Sequence, residues 1–241
     1  MTFHDAPASW RALMRRYTRP GSGRSIAESR PRGAGRRRGQ SAVVVVLGID
    51  GSGKTTAAGA LKDLFPPGEV LVLGNYSGRK TIAGWGLRYR VGVPVRIADA
   101  LETAIRVSNV LINHLRARRF AGLVIMDRHL YCQVALRKAR GIGPGTALPV
   151  LMGLLPQAHV VVYFDLPAEQ AYERIRLRGE DQETINGLRS FQAGYRELPG
   201  YSGFRTIDAG GPRESILLQL QDIVTQVMHG DAVIQPELLE A

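Results

Sequence analysis

The sequence has one cysteine, four lysines and few aromatic residues, which make up 7% of its 241 residues. The lone Cys132 excludes an intramolecular disulfide framework and any zinc or iron–sulfur site built from several cysteines. No apolar run approaches the roughly 18 residues of a membrane-spanning helix, and the N-terminal segment lacks the apolar core of a secretory signal. These absences predict a cytoplasmic protein without a membrane span.

Positive charge is concentrated at the N-terminus. Residues 1–40 contain ten arginines against only Asp5 and Glu28, a surplus of +8 out of the total of +11. Sparse apolar residues among Gly, Ser, Pro and Arg predict a disordered extension over 1–40, a folded domain over 41–230 and a short tail over 231–241. The extension is either a dispensable solvated segment or a basic arm for an acidic partner such as nucleic acid or a membrane surface.

Predicted strands and helices alternate from residue 41 onward. The apolar, β-branched runs predict strands at 42–48, 70–73, 123–127, 159–165 and 204–208. Helical periodicity predicts helices at 55–64, 97–119, 149–155, 168–177, 186–197 and 212–228. Five strands alternating with helices indicate a doubly wound parallel α/β sheet, in which ligands bind at the carboxyl ends of the strands.

A phosphate-binding motif follows the first predicted strand. Residues 48–55, Gly-Ile-Asp-Gly-Ser-Gly-Lys-Thr, fit the pattern G-x-x-x-x-G-K-[ST] between a strand and a helix. The three glycines let successive backbone N–H groups point into one concavity, and the helix beginning near Lys54 adds its positive dipole end. Lys54 can reach the β- and γ-phosphates, and the Thr55 hydroxyl can ligate Mg²⁺. The motif therefore predicts binding of a nucleoside triphosphate.

Two further sets of charged residues are candidates for the same site. Asp127 ends an apolar strand, where a carboxylate can hold Mg²⁺, and the adjacent Arg128 can neutralise a transferring phosphoryl group. His129, next in the chain, is expected to be structural. Arg174, Arg176 and Arg178 precede a polar loop and suit a lid over the triphosphate. Arg176 lies on the opposite side of its helix from the other two, so the three cannot all contact one phosphate.

Taken together, these residues resemble the thymidylate kinase family of nucleoside monophosphate kinases. Residues 48–56 are similar to that family's phosphate loop, including Asp50, and residues 127–129 to its Asp-Arg-Tyr/His motif. Arg106 precedes that motif at about the family's spacing for an arginine that grips the acceptor phosphate. Residues 164–178 resemble the lid of the bacterial type, which carries its catalytic arginine there, and Ser52 stands where the other type has arginine.

The resemblance implies a P-loop NTPase fold, a three-layer sandwich with a five-stranded parallel sheet, and a phosphotransferase that uses ATP and Mg²⁺. With the motifs, it implies catalytic roles for Lys54, Asp127, Arg128 and Arg178. It implies ATP contacts from Gly48, Asp50, Gly51, Ser52, Gly53, Lys54, Thr55, Thr56, Arg174 and Arg176. It implies acceptor contacts from Asp50, Arg106, Arg128 and Cys132, and Mg²⁺ ligation by Thr55 and Asp127. It also implies a homodimer.

The resemblance fails at two places, both on the acceptor side. After the second predicted strand the family has Arg-Glu-Pro-Gly, whereas this sequence reads Gly-Asn-Tyr-Ser-Gly-Arg over 74–79. Where the family continues to Ser and then Ala-Tyr-Gln, this sequence has Cys132 and Ala-Leu-Arg over 135–137. Because recognition depends on buried polar partners, these departures predict a divergent acceptor site.

Three functions remain open at this point. The first is phosphorylation of dTMP or another nucleoside monophosphate by ATP. The second is a kinase of the same fold for a nucleoside, sugar or other metabolite hydroxyl, which would need a general base such as Asp50 or Asp127. The third is a nucleotide-dependent switch without catalysis, whose basic tail contacts nucleic acid or a membrane.

Overall fold

A computed structural model describes residues 41–75, 94–143, 145–179 and 183–229. The expectations for the 1–40 extension, for the departure at 76–79, for part of the polar lid loop and for the 231–241 tail lie outside these residues. No helix in the described ranges has both the length and the apolar composition needed to cross a membrane.

Five parallel strands form one sheet in the order β2-β3-β1-β4-β5. They are β1 (Ala42–Leu47), β2 (Val70–Gly74), β3 (Leu123–Asp127), β4 (Val160–Asp165) and β5 (Arg205–Asp208). Central strand β1 pairs with β3 on one side and β4 on the other, with Val46 opposite Asp127. The parallel α/β sheet predicted from the sequence is confirmed.

Seven α-helices accompany the sheet in the described residues. They are α1 (Lys54–Lys62), α2 (Val95–Arg118), α3 (Leu130–Ala139), α4 (Ala147–Leu154), α5 (Ala168–Leu177), α6 (Ile185–Arg196) and α7 (Arg213–His229). Helices α1 and α7 pack on each other and on the sheet, while α3 packs against α2, α4 and α6. Because every residue of β3 is buried, helices cover both faces of the sheet, and the fold is a three-layer sandwich.

Helix α3 is the element that the sequence did not predict. Its first seven residues are all buried, so they lack the alternation of apolar and polar positions that marks an amphipathic helix. The N-cap residue that precedes the helix, His129, makes no side-chain capping hydrogen bond, so the sequence also lacks a start signal. The other six helices begin and end within two residues of their predicted bounds.

Helices α3 and α6 approach each other closely at Gly194. A Cβ atom at this position would collide with the backbone carbonyl of Ala135. Only a glycine lets the two backbones meet here, and the close approach buries the neighbouring Tyr195 completely. The packing of α3 is therefore fixed on one side by α6 and on the other by α2.

Candidate nucleotide-binding and phosphotransfer site

The phosphate loop connects β1 to α1 at the carboxyl edge of the sheet. Gly48, Gly51 and Gly53 all have positive φ angles, of 143°, 85° and 84°. A Cβ atom at Gly51 would lie 2.6 Å from the backbone oxygen of Ala171, so the loop also passes close to α5. The predicted role of the glycines in turning the backbone is confirmed, and α1 begins at Lys54 directly after the turn.

Lys54 is held inside this loop. Its side chain is 4% exposed, and Nζ donates hydrogen bonds to the Ile49 carbonyl oxygen at 2.7 Å and to Ser52 Oγ at 2.9 Å. Burial, followed by the charge of Arg128, lowers the pKa of Lys54 to about 8 although two nearby carboxylates oppose the shift. An anion at the loop would therefore stabilise the charged form of Lys54.

Thr55 and Asp127 meet beside the loop. The Thr55 hydroxyl donates a hydrogen bond to Oδ2 of Asp127, while the buried Oδ1 of Asp127 has no hydrogen-bond partner. A hydroxyl and a carboxylate oxygen are the hard ligands that Mg²⁺ takes beside phosphate and water. No group of three or more His, Cys, Asp or Glu in the described part of the chain could hold a metal ion alone. The pair thus fits a metal ion that would take its remaining ligands from a bound phosphate and water.

Arg128 has an unusual backbone conformation. With a φ of 76°, it is the single non-glycine residue with positive φ in the described ranges. Its N–H donates to the Val46 carbonyl oxygen at 3.1 Å, and its guanidinium forms an ion pair with Asp50 of the phosphate loop. Burial alone would lower the pKa of Arg128, but Asp50 is the main group that raises it above the usual value. Strain of this kind is found where a side chain must be presented to a site.

His129 points away from the charged cluster and packs inside the protein. Its Nε2 lies 3.1 Å from Nε2 of His114 on α2, and the two rings meet edge to face. Burial and the neighbouring His114 lower the pKa of His129 to about 3. His129 is therefore neutral, and its contacts agree with the structural role expected of it.

Two of the three lid arginines face the phosphate loop. Arg174 and Arg178 line a cavity of about 380 Å³ whose other walls come from the loop, α1, α5 and α7. Four other residues predicted to contact ATP also line this cavity, namely Gly51, Ser52, Gly53 and Thr56. Arg176 does not line this cavity; it is exposed and lies 3.3 Å from Glu173 in an ion pair. The structure therefore brings Arg174 and Arg178 to the site and leaves Arg176 at the surface.

Arg106 and Cys132, which were predicted to contact the acceptor, lie on α2 and α3. Arg106 is 3% exposed; Nε donates to Gln133 Oε1 at 3.0 Å, and Nη1 has no hydrogen-bond partner. Burial lowers the pKa of Arg106. The buried thiol of Cys132 lies close to Arg106, Arg128 and Tyr195, whose pKa values it affects. These side chains therefore form a buried polar region next to the phosphate loop.

Asn113 and Gln133 of this region were not singled out from the sequence, whereas Asn75 belongs to the departure predicted at 74–79. Asn113 donates from Nδ2 to the Gly74 carbonyl oxygen at 3.0 Å and ties α2 to the end of β2. Asn75 follows that strand, and both polar atoms of its buried carboxamide lack hydrogen-bond partners. Gln133 is fully buried on α3. The sequence held one signal of this region: polar residues at positions 99, 102, 106 and 113 share one face of α2. A polar helix face is usually interpreted as exposed to solvent.

Comparison with known proteins agrees with this arrangement. The family model described as thymidylate kinase matches residues 46–219. A thymidylate kinase from Xanthomonas oryzae pv. oryzae is 32% identical over 198 residues, which cover 77% of this chain and 84% of that protein. A thymidylate kinase from Akkermansia muciniphila is 29% identical over 196 residues, covering 78% of this chain and 92% of that protein.

Proposed function

Because the chain belongs to the thymidylate kinase family and is thus a nucleoside monophosphate kinase, we propose that it transfers the γ-phosphate of ATP to dTMP with Mg²⁺. The observation that carries this proposal is the meeting of Lys54, Thr55 and Asp127 at one loop, with an oxygen of Asp127 left open. Two arginines, Arg106 and Arg128, stand on the acceptor side of the same loop.

The donor half of the site would bind the triphosphate of ATP. Backbone N–H groups of the loop and the N-terminus of α1 would hold the phosphates, with Lys54 at the β- and γ-phosphates. Thr55 and Asp127 would hold Mg²⁺, which neutralises phosphate charge when bound. Arg174 and Arg178 would approach the transferred group from the cavity wall. Arg176 contacts no phosphate in this proposal, because it pairs with Glu173 at the surface.

The acceptor half would place a phosphate oxygen in line with the γ-phosphorus. Arg128, adjacent to Asp127, would bind the acceptor phosphate, and Arg106 would contribute a second buried cation. Asp50 orients Arg128 through their ion pair. Since the acceptor phosphate is already ionised, the enzyme contributes mainly position and charge neutralisation, and the reaction needs no general base.

A hydroxyl acceptor fits this arrangement less well. Such a kinase needs a carboxylate free to take a proton. Of the two candidates, Asp50 is paired with Arg128, and the open oxygen of Asp127 is assigned to Mg²⁺ in this proposal. The buried cation of Arg106 instead favours an anionic acceptor. A switch without catalysis is set aside because the family consists of kinases.

The test is ADP release from ATP and Mg²⁺ across a panel of acceptors. The panel contains dTMP, dUMP, the other nucleoside monophosphates, thymidine and several sugars. We expect dTMP to give the highest kcat/KM and EDTA to abolish the reaction. Comparable turnover with thymidine or a sugar would refute a phosphate acceptor. Binding of ATP without turnover of any monophosphate would refute the proposed reaction.

We also propose that the enzyme is a homodimer formed through α2. The exposed face of this helix carries an apolar stripe of Ile97, Leu101, Leu111, Ile112 and Leu115. Ten residues separate Leu101 from Leu111, but at about 100° per residue all five fall within roughly a third of the helix circumference, so they share one face. An apolar patch of this kind marks a protein interface.

Replacing Ile112, which is 52% exposed, with arginine is expected to convert the dimer into a monomer. A charge at the centre of an apolar interface is left without water or a partner. Sedimentation equilibrium measures the change in mass. The matched control is Val150→Arg on α4, which is also exposed and apolar and should leave the dimer intact. A wild-type chain that sediments as a monomer would contradict the proposal.

A further inference from the structure

A buried polar seam joins α2 to α3. We define it as Asp99, Thr103 and Arg106 of α2 with Gln133 and Arg137 of α3. At one end of the seam, Nε of Arg137 lies 2.7 Å from Oδ2 of Asp99 in an ion pair. At the other end, Nε of Arg106 donates a hydrogen bond to Oε1 of Gln133 at 3.0 Å. The seam lies in the half of the site where this sequence departs from the family pattern.

The chemistry of the seam fixes the orientation of the Gln133 amide. Its Nε2 donates hydrogen bonds to Asp99 Oδ1 at 3.0 Å and to Thr103 Oγ1 at 2.9 Å. A carboxylate can only accept, so the amide nitrogen must face Asp99 and the amide oxygen must face Arg106. Asp99 is itself held at Oδ2 by Nε of Arg137. Donation therefore runs from Arg106 to Gln133 and from Gln133 to Asp99, which also accepts from Arg137.

Among the described side chains where α2 meets α3, Arg106 is the buried arginine that has no carboxylate partner. Arg137 pairs with Asp99, and Arg140 pairs with Glu102 at 3.0 Å. Arg106 is held by the neutral amide of Gln133 rather than by a carboxylate, and its Nη1 has no hydrogen-bond partner. A glutamine thus fixes the Arg106 guanidinium without neutralising it.

We propose that Gln133 is a positioning residue for the acceptor, which holds Arg106 in place and leaves its charge and its Nη1 available to an anionic or carbonyl oxygen of that molecule. Arg137, which stands where the family has glutamine, supports this arrangement by fixing Asp99. The departure at position 137 is therefore part of the support for Arg106. This inference rests on the proposed function, since it assigns Arg106 to the acceptor.

The first test is Gln133→Met, which keeps the side-chain length and removes both ends of the amide. We expect KM for dTMP to rise about 10- to 100-fold, since a hydrogen bond to a charged group is lost, while KM for ATP stays within about twofold of wild type. The matched control, Lys138→Met, removes the ion pair between Lys138 of α3 and Glu197, at 3.6 Å, which does not involve the seam. It should lower the melting temperature without changing KM for dTMP. A purely structural role for Gln133 would make the two variants alike.

The second test separates position from charge. The double variant combines Gln133→Glu with Asp99→Asn. The new asparagine amide at 99 can donate to the new carboxylate at 133, which is the reverse of the wild-type bond, and the total charge is unchanged. The bond to Arg106 is kept, but the new carboxylate neutralises the guanidinium. We therefore expect KM for dTMP to remain raised by about tenfold or more. A wild-type KM in this double variant would overturn the claim that the charge of Arg106 must be left free.

An NMR measurement tests the positioning without any turnover. The Nε–H resonance of Arg106, assigned by its loss in Arg106→Lys, should exchange slowly with water in the wild type. It should broaden or vanish in Gln133→Met and persist in the double variant. If the wild-type enzyme were inactive on dTMP, the proposed function would be refuted. The NMR test of whether Gln133 holds Arg106 in place would still stand, because it requires no turnover. A resonance unchanged in Gln133→Met, or an unchanged KM for dTMP, would overturn the role of Gln133.

Discussion

Replacing Lys54 with alanine is expected to lower kcat about a thousandfold or more and to leave the fold intact. The ammonium group is the one lysine cation held inside the phosphate loop, by the Ile49 carbonyl and the Ser52 hydroxyl. Its removal takes away the charge that would follow the γ-phosphate during transfer. Steady-state ADP release and a thermal melt measure the two effects. Wild-type turnover in Lys54→Ala would contradict the proposed mechanism.

The pH dependence provides a second measure of the same group. With a pKa lowered to about 8 in the free enzyme, Lys54 is charged below that pH and loses its proton above it. The value of kcat/KM for ATP should therefore fall as the pH rises through about 8. Lys62→Ala is the matched control, because Lys62 ends the same helix at an exposed position. That variant should keep both the rate and the pH profile.

Replacing Arg128 with asparagine is expected to reduce kcat/KM for dTMP about a thousandfold or more while preserving a folded enzyme. Arg128 follows Asp127 in the chain and forms an ion pair with Asp50, so the substitution removes the cation that the proposal assigns to the acceptor phosphate. Asparagine tolerates the left-handed backbone conformation better than other side chains. Activity within tenfold of wild type in Arg128→Asn would contradict this assignment.

Two further variants separate the charge of Arg128 from its backbone strain. Arg128→Ala removes the same charge but keeps the strain, so it should melt at a lower temperature than Arg128→Asn and be equally inactive. Arg189→Asn removes an arginine from an exposed ion pair with Glu169, at 2.6 Å. Because this pair lies outside the site, Arg189→Asn should retain wild-type kinetics.

The donor half of the site could be predicted because its signals are local. A strand, three glycines at fixed spacing and Lys-Thr at the start of a helix specify the phosphate loop within one short segment. Helical periodicity likewise placed Arg176 on the other side of α5 from Arg174 and Arg178, and this is confirmed. The roles of these side chains stay predictions until the variants are measured.

The acceptor half could not be predicted in the same way because it depends on how α2 and α3 meet. Arg106 and Gln133 are 27 residues apart in sequence, and Asp99 and Gln133 are 34 apart. Helix α3 itself was missed, since a segment buried all round has no amphipathic period. Without α3, Arg106 had no visible partner, and its assignment to the acceptor came only from the resemblance to the family.

Helix α2 also reverses the usual rule for judging the effects of natural variation. Its buried face carries charged and amide side chains, whereas its outer face carries leucine and isoleucine. Exchange of an inner charge for an apolar residue would normally be counted as tolerable in a protein interior, yet here it breaks the support of Arg106. Exchange of an outer leucine for lysine would normally be counted as harmless, yet here it places a charge in the apolar stripe proposed as the dimer interface. Variants of this helix therefore have to be ranked by the face on which the substituted residue lies, since the buried face carries charged groups beside Val110 and Ala117.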